Sequence, residues 1–202
     1  MELPQHWPLP DATDLRDELR SAYDDPGRRY HGARHLGEVL ARLAELRGAG
    51  TRFEELPVTL AAWFHDSVYD GERDAEERSA VWAEVGLAGR IEPAVVAEVA
   101  RLVRLTETHR PDDGDANGCA LSDADLAILA AGPERYAEYR AAIRDEYVHL
   151  DAEEFRAGRA QVLRHLLDKD TIFHTSYARG AWERVARANL EAELLELTDG
   201  MQ

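Results

Sequence analysis

Residues 56–69 read LPVTLAAWFHDSVY. From Leu56 to Phe64 the apolar residues fall on nearly every side of a helix rather than along one stripe, so this segment is expected to be a buried helix. Pro57 suits its first turn, where a missing N–H costs nothing. Where the apolar run stops stand His65 and Asp66, an imidazole and a carboxylate at the edge of a core, where unpaired charge is costly. Upstream, Leu36, Val39, Leu40, Leu43 and Leu46 recur at helical spacing and predict a helix from about His31 to Arg47, ending at Gly48. Leu15, Leu19 and Ala22 predict an earlier one, beginning after Pro10 and Asp11 and stopping near Pro26-Gly27. Downstream, helices are expected from about Asp74 to Val85, with Gly86 and Gly89 marking the end, and from Pro93 to near His109. RPDDGDANGCALS (110–122) reads as a loop, followed by helices near Asp123–Ala131, Pro133–His149, Ala152–Asp168 and Tyr177–Leu197. No stretch alternates for long enough to be a strand. The expected fold is all-α, a single helical bundle over residues 1–202, with a motif-bearing core at about 31–129 and C-terminal helices at about 133–197.

The composition fits this expectation. The 202 residues are 45% hydrophobic and 32% charged, as in a globular domain. No apolar run approaches the roughly 20 residues that span a bilayer. MELPQHWPLPDATD lacks a basic region followed by an apolar stretch, so no secretory signal is expected. Cys119, the single cysteine, cannot form an internal disulfide and reads as a small buried hydrophobe; a cytoplasmic location is the expectation. The net charge of −16 repels a polyanion, which argues against a nucleic-acid polymer as partner. It leaves room for a small phosphorylated substrate if a dication and a few arginines invert the field locally. Lys169 is the one lysine among 24 basic residues, so 23 are arginines, a bias best read as genome-wide. No membrane partner is expected, and an oligomer is left open.

In YHGARHLGEVL (30–40), His31 and His35 are four apart and share one helical face. Together with His65 and Asp66 they offer imidazole nitrogens and a carboxylate oxygen. That mixed set suits one divalent ion (Mn, Fe, Co, Ni, Zn or Mg) with open positions for water and substrate. A hydrogen-bonded pair closing a helix is the plainer account of an isolated His-Asp dipeptide.

Here the dipeptide is not isolated. The order H…HD…D over consecutive helices, with YHGARH (30–35) before, DAEERSA (74–80) after and SDADLAIL (122–129) last, resembles the HD superfamily of metal-dependent phosphohydrolases, and within it a small bacterial branch of predicted phosphohydrolases. The resemblance spans His31 to Leu129, and more loosely TSYARGAWERVARANLEAEL (175–194). It implies a metal held by His35, His65, Asp66 and a final aspartate. Asp123 and Asp125 both stand in the last motif; the resemblance points to Asp125, with Asp123, next to Ser122, as a helix cap. His31 matches a histidine that protonates the leaving alkoxide in cyclic-nucleotide phosphodiesterases of that superfamily, and a histidine titrates near neutral pH in any case. A histidine hydrogen-bonded to Tyr30 or to the loop explains it equally. Asp70 matches an acidic residue that orients water in alarmone hydrolases, although an acidic turn accounts for it too. Glu77 and His109 are candidates for contacts around the metal or substrate, and Lys169 for neutralising phosphate; surface solvation is the ordinary fate of such side chains. With one histidine, His109, between the pair and the last aspartate, one metal is expected rather than two.

The implied activity is metal-dependent hydrolysis of a small phosphoester, a nucleotide or related metabolite. A non-catalytic metal- and nucleotide-binding sensor is the alternative from another class. A di-iron oxygenase on the same scaffold would need more histidine ligands. DGDANG (113–118) resembles the start of a calcium loop, but Ala124 stands where the bidentate glutamate belongs. There is no HExxH, Walker loop or GxSxG.

Overall fold

The computed structural model describes residues 7–71 and 74–199, and the N-terminal residues 1–6 of the leader reading lie outside it. The described residues are all-helical, with no strand among them. They form two compact units, 1–125 and 126–202.

The first unit holds α1 (Thr13–Tyr23), α2 (Ala33–Gly48), α3 (Glu55–Phe64), α4 (Ala75–Leu87), α5 (Pro93–Leu105) and α6 (Ala116–Leu126). Helix α3 packs against α2, α4 and α5. Its residues Pro57, Val58, Leu60, Ala61, Ala62, Trp63 and Phe64 are all buried. Ten residues is too short for an isolated helix to persist in water. Burying one large apolar side chain contributes roughly 1.5–3 kcal/mol, so packing rather than propensity holds α3 together. Around it, Leu36, Val39, Leu40, Leu43 and Leu46 of α2 and Val99, Leu102 and Val103 of α5 complete the core. Arg90 forms a bidentate pair with Asp14 at 3.0 and 2.7 Å, tying the turn after α4 to the start of α1. Arg104 does the same between α5 and Glu77 of α4, at 2.5 and 2.7 Å.

The second unit holds a 3-10 turn (Ala127–Ala130), α7 (Pro133–Glu146), α8 (Ala152–Leu167), α9 (Ser176–Ala181) and α10 (Glu183–Asp199). Helix α10 packs on the 3-10 turn, α8 and α9. Asn189 donates to the carbonyls of Leu129 and Ala131 at 2.8 and 3.0 Å, closing the end of the 3-10 turn. The buried Glu193 is matched by Arg159 (2.8 and 3.1 Å) and by the Tyr136 hydroxyl (2.5 Å). These contacts pair the buried Glu193 carboxylate. Asp151 opens α8 with a reciprocal capping box to Glu154. No described helix is long and apolar enough to cross a membrane.

Several boundaries differ from the sequence expectation, among them the end of α5 at Leu105 rather than near His109. Helix α2 begins at Ala33, so His31 precedes it. Helix α3 ends at Phe64, and His65 is its cap while Asp66 lies in the following turn. The segment expected as a loop up to Ser122 is already helical from Ala116, because the Asp115 carboxylate accepts the Gly118 N–H at 2.8 Å and so starts α6 there. Asp123 is therefore fully buried in the helix interior and is not a cap. The last helix breaks at Trp182 into α9 and α10.

The start of α6 depends on close approach at Gly118. A Cβ there would lie 2.3 Å from Asp115 Oδ2 and 2.6 Å from Leu105 Cδ2, and Asp115 is itself held by Arg101 at 2.8 Å. Gly118→Ala is therefore expected to destabilise the fold by about 1–3 kcal/mol through overpacking. Gly158, inside exposed α8, has nothing within 4 Å of a built Cβ, so Gly158→Ala should stabilise by about 0.5–1 kcal/mol. Urea midpoints at unchanged slope measure both, and a shift of the same sign in the two variants would contradict this packing.

Candidate metal centre

Three elements of the first unit bring four side chains to one point. His35 sits in the first turn of α2, His65 at the cap of α3 with Asp66 next to it, and Asp125 near the end of α6. The two Nε2 atoms of His35 and His65 are 3.1 Å apart. Asp125 Oδ1 lies 3.0 Å from His35 Nε2 and 3.6 Å from His65 Nε2. Asp66 Oδ2 lies 3.1 Å from His65 Nε2 and 3.4 Å from His35 Nε2. His35, His65 and Asp66 form a group whose ligand atoms all fall within 4.8 Å of one another, as a single ion requires.

The orientation of these groups matters as much as their proximity. His65 Nδ1 is 2.8 Å from the Ala62 carbonyl, an acceptor only, so Nδ1 carries a proton and Nε2 faces the cluster. Fixing one ring nitrogen in this way is how a protein presents the other to a metal. Asp66 Oδ2 is buried with no hydrogen-bond partner, although two imidazole nitrogens lie within ion-pairing distance. A buried, unsatisfied carboxylate oxygen is costly unless a cation completes it.

Burial by itself disfavours every charged form here, yet mutual attraction outweighs it. Burial lowers the His35 value, but the facing carboxylates of Asp125 and Asp66 bring it up to about 9. His65 is likewise desolvated and still held well above the ordinary imidazole range, by the charge of Asp66 foremost. Burial raises Asp66 and Asp125, and the two histidines pull both well below the usual carboxylate range. Two imidazolium ions against two carboxylates sum to zero charge. One dication with two neutral imidazoles and two carboxylates sums to zero as well. A divalent ion replacing protons there would leave no net charge to bury, and the residues present fit such an ion.

The other candidates have distinct surroundings. His31 stacks on Tyr69 with ring centroids 4.0 Å apart, and its ring is 5.8 Å from that of His35. His109, in the turn after α5, has a left-handed φ of 48°, and its Nε2 is 3.5 Å from Asp125 Oδ2. Non-glycine residues rarely adopt that conformation, and such strain clusters at functional sites. Asp125 thus turns one oxygen to His35 and His65 and the other to His109. Asp70 is engaged by Arg78 in a bidentate pair at 2.7 Å through both oxygens. Glu77 belongs to the pair with Arg104. Lys169 lies in the second unit, in the turn after α8. Arg28 and Tyr23 escape sequence reasoning, yet both bind the backbone of Asp66: Arg28 donates to its carbonyl at 2.5 Å, and the Tyr23 hydroxyl accepts from its N–H at 3.2 Å. Among 23 arginines, one in a Pro-Gly turn carries no signal of its own.

Compared with protein-family models, curated proteins and solved structures, the chain has no match.

The ionised cluster has a consequence for stability in chelator-treated protein. The His35 and His65 values lie above their ordinary 6.5, so the stability they contribute is fully present below about pH 6.5 and is lost as pH rises through about 9, the His35 value. Asp66 and Asp125, held below 3.8, contribute stability above that pH that is lost on acidification. The melting temperature of stripped protein should therefore fall between pH 6.5 and 9, and fall less in His35→Gln. Equal pH dependence of parent and variant over that window would contradict a charged cluster.

Proposed function

We propose that the chain is a metal-dependent phosphohydrolase acting on a small phosphoester, a nucleotide or a related phosphorylated metabolite. The observation that carries this reading is the cluster of His35, His65 and Asp66, with Asp125 Oδ1 3.0 and 3.6 Å from the two imidazoles. The order of the same residues in the sequence, which resembles that of the HD phosphohydrolases, supports it. In this reading those four residues hold one divalent ion, and the choice left open between Asp123 and Asp125 falls on Asp125, 3.0 Å from His35. Bound there, the ion supplies a Lewis acid that acidifies water and polarises a phosphoryl oxygen. It also brings local positive charge to a chain of net charge −16, which a phosphate would otherwise avoid.

The chain's own side chains supply the rest. Hydrolysis of an alkyl ester leaves a strongly basic oxygen that needs a proton, and the His31 ring delivers it. His31 lies beside the ligand His35, and stacking on Tyr69 restricts its ring. Its main-chain carbonyl is 3.4 Å from the Arg28 guanidinium, which ties this turn to the His-Asp turn. His109 supports Asp125 from the side away from His35.

The test joins metal content to turnover. Protein reconstituted with Mn, Co, Ni, Zn or Mg should hold about one ion per chain and hydrolyse members of a phosphoester panel. His65→Ala and Asp125→Ala should lose ion and activity together. His31→Ala should keep the ion, slow alkyl esters by roughly two to four orders of magnitude, and slow a nitrophenyl ester far less. Full ion occupancy in His65→Ala and Asp125→Ala would refute the site. A retained ion with no turnover across the panel would favour the sensor reading over the enzyme.

A further inference from the structure

Arg28 occupies a place that the proposed chemistry does not use. Its side chain leaves the turn between α1 and α2 and reaches residues 38 and 39 positions along the chain. Nη1 donates to the Asp66 carbonyl at 2.5 Å and Nη2 to the Ser67 carbonyl at 2.9 Å. Nη1 also lies 3.4 Å from the His31 carbonyl. The guanidinium carbon sits 5.4 Å from the centroid of the Tyr23 ring, whose hydroxyl accepts the Asp66 N–H at 3.2 Å. The Asp66 residue is thus gripped at its N–H by Tyr23 and at its carbonyl by Arg28, and these two gripping groups contact each other.

This grip falls where α3 cannot help. Helix α3 ends at Phe64, so the carbonyls just beyond it lack helical partners and lie at the negative end of the helix dipole. A planar fork of donors matches two neighbouring carbonyls, and the positive charge complements that end of the helix. An ammonium is a point donor and reproduces neither the fork nor the stacking on Tyr23. The grip also joins two segments, because residues 28–31 lead directly into α2, which carries His35.

We propose that Arg28 is a positioning residue for the divalent cation held by His35, His65, Asp66 and Asp125, acting on it through the backbone of Asp66 and Ser67. The inference rests on the proposed metal centre and adds a residue that touches no ligand atom. A ligand carboxylate is useful only within about 0.5 Å of its productive place, and Asp66 stands in the turn beyond the end of α3, where the helix's own hydrogen bonds do not fix it. Arg28 with Tyr23 fixes its backbone there.

The experiment titrates chelator-treated full-length protein with Co(II) against a chromophoric chelator, well below the melting temperature, for the parent, Arg28→Gln, Arg28→Lys and Arg34→Gln. Helical content by circular dichroism accompanies each titration. Arg34, on the exposed side of α2 and paired with Glu38, is the control for loss of a nearby charge. Arg28→Gln should weaken Co(II) binding by roughly 10–100-fold and alter the visible Co(II) spectrum, with stoichiometry near one. Arg28→Lys should weaken it less, and Arg34→Gln by under about twofold. A merely structural role would lower the melting temperature of the stripped protein and leave affinity and spectrum at parental values; that result overturns the proposal. If Arg28→Gln fails to fold, Arg28→Lys decides by the same two readouts. A parent that binds no Co(II) would overturn the metal centre and this inference together, whereas a parent that binds and variants that match it would overturn the role of Arg28 alone.

Discussion

Two imidazoles and two carboxylates face one another in the interior of the first unit, and its local architecture can be read as the means of keeping them there. Each group alone would be expensive to bury. Together they reach neutrality in two ways, with two protons or with one dication. A dication entering there would add no net charge to the interior. The same mutual attraction that lifts His35 to about 9 holds Asp66 and Asp125 deprotonated, and so keeps their oxygens available as ligands.

Delivering four groups to one point requires three rigid elements that end or begin at the same place. Helix α3 is the fixed reference, because burial on nearly every side leaves it no freedom to rotate. It places His65 at its end, and the Ala62 carbonyl one turn back sets the ring. Helix α2 packs on α3 and brings His35 from its first turn. Helix α6 brings Asp125, and its own starting point is set by Asp115, Arg101 and the bare Cα of Gly118. A loop would deliver a carboxylate less reproducibly than a helix end that is capped and packed.

Much of the first unit is legible in the sequence, since continuous apolar character marks α3 and the 3.6-residue period marks α2 and α5. The His-Asp pair is legible too, because polar residues at the end of a buried helix are unusual and stand beside His35 in sequence order. The start of α6 is not, as the run of Asp, Gly and Asn at 112–118 reads as a loop while Asp115 turns it into a helix cap. That misreading makes Asp123 look like a cap, whereas the helix buries it. The break at Trp182 carries no glycine or proline signal at that position. Arg28 and Tyr23 are invisible for a further reason: their role lies in contacts to backbone atoms 38–43 residues away, and no local pattern encodes those.

The central claim is that a dication would displace protons from these four side chains. Isothermal titration of chelator-treated protein with Zn or Co near pH 7, in buffers of different ionisation enthalpy, counts the protons released. At least one proton should leave per ion bound, because His35, held up to about 9 by the facing carboxylates, begins charged at that pH. Binding with no proton release, or release unchanged in His35→Gln, would contradict the account.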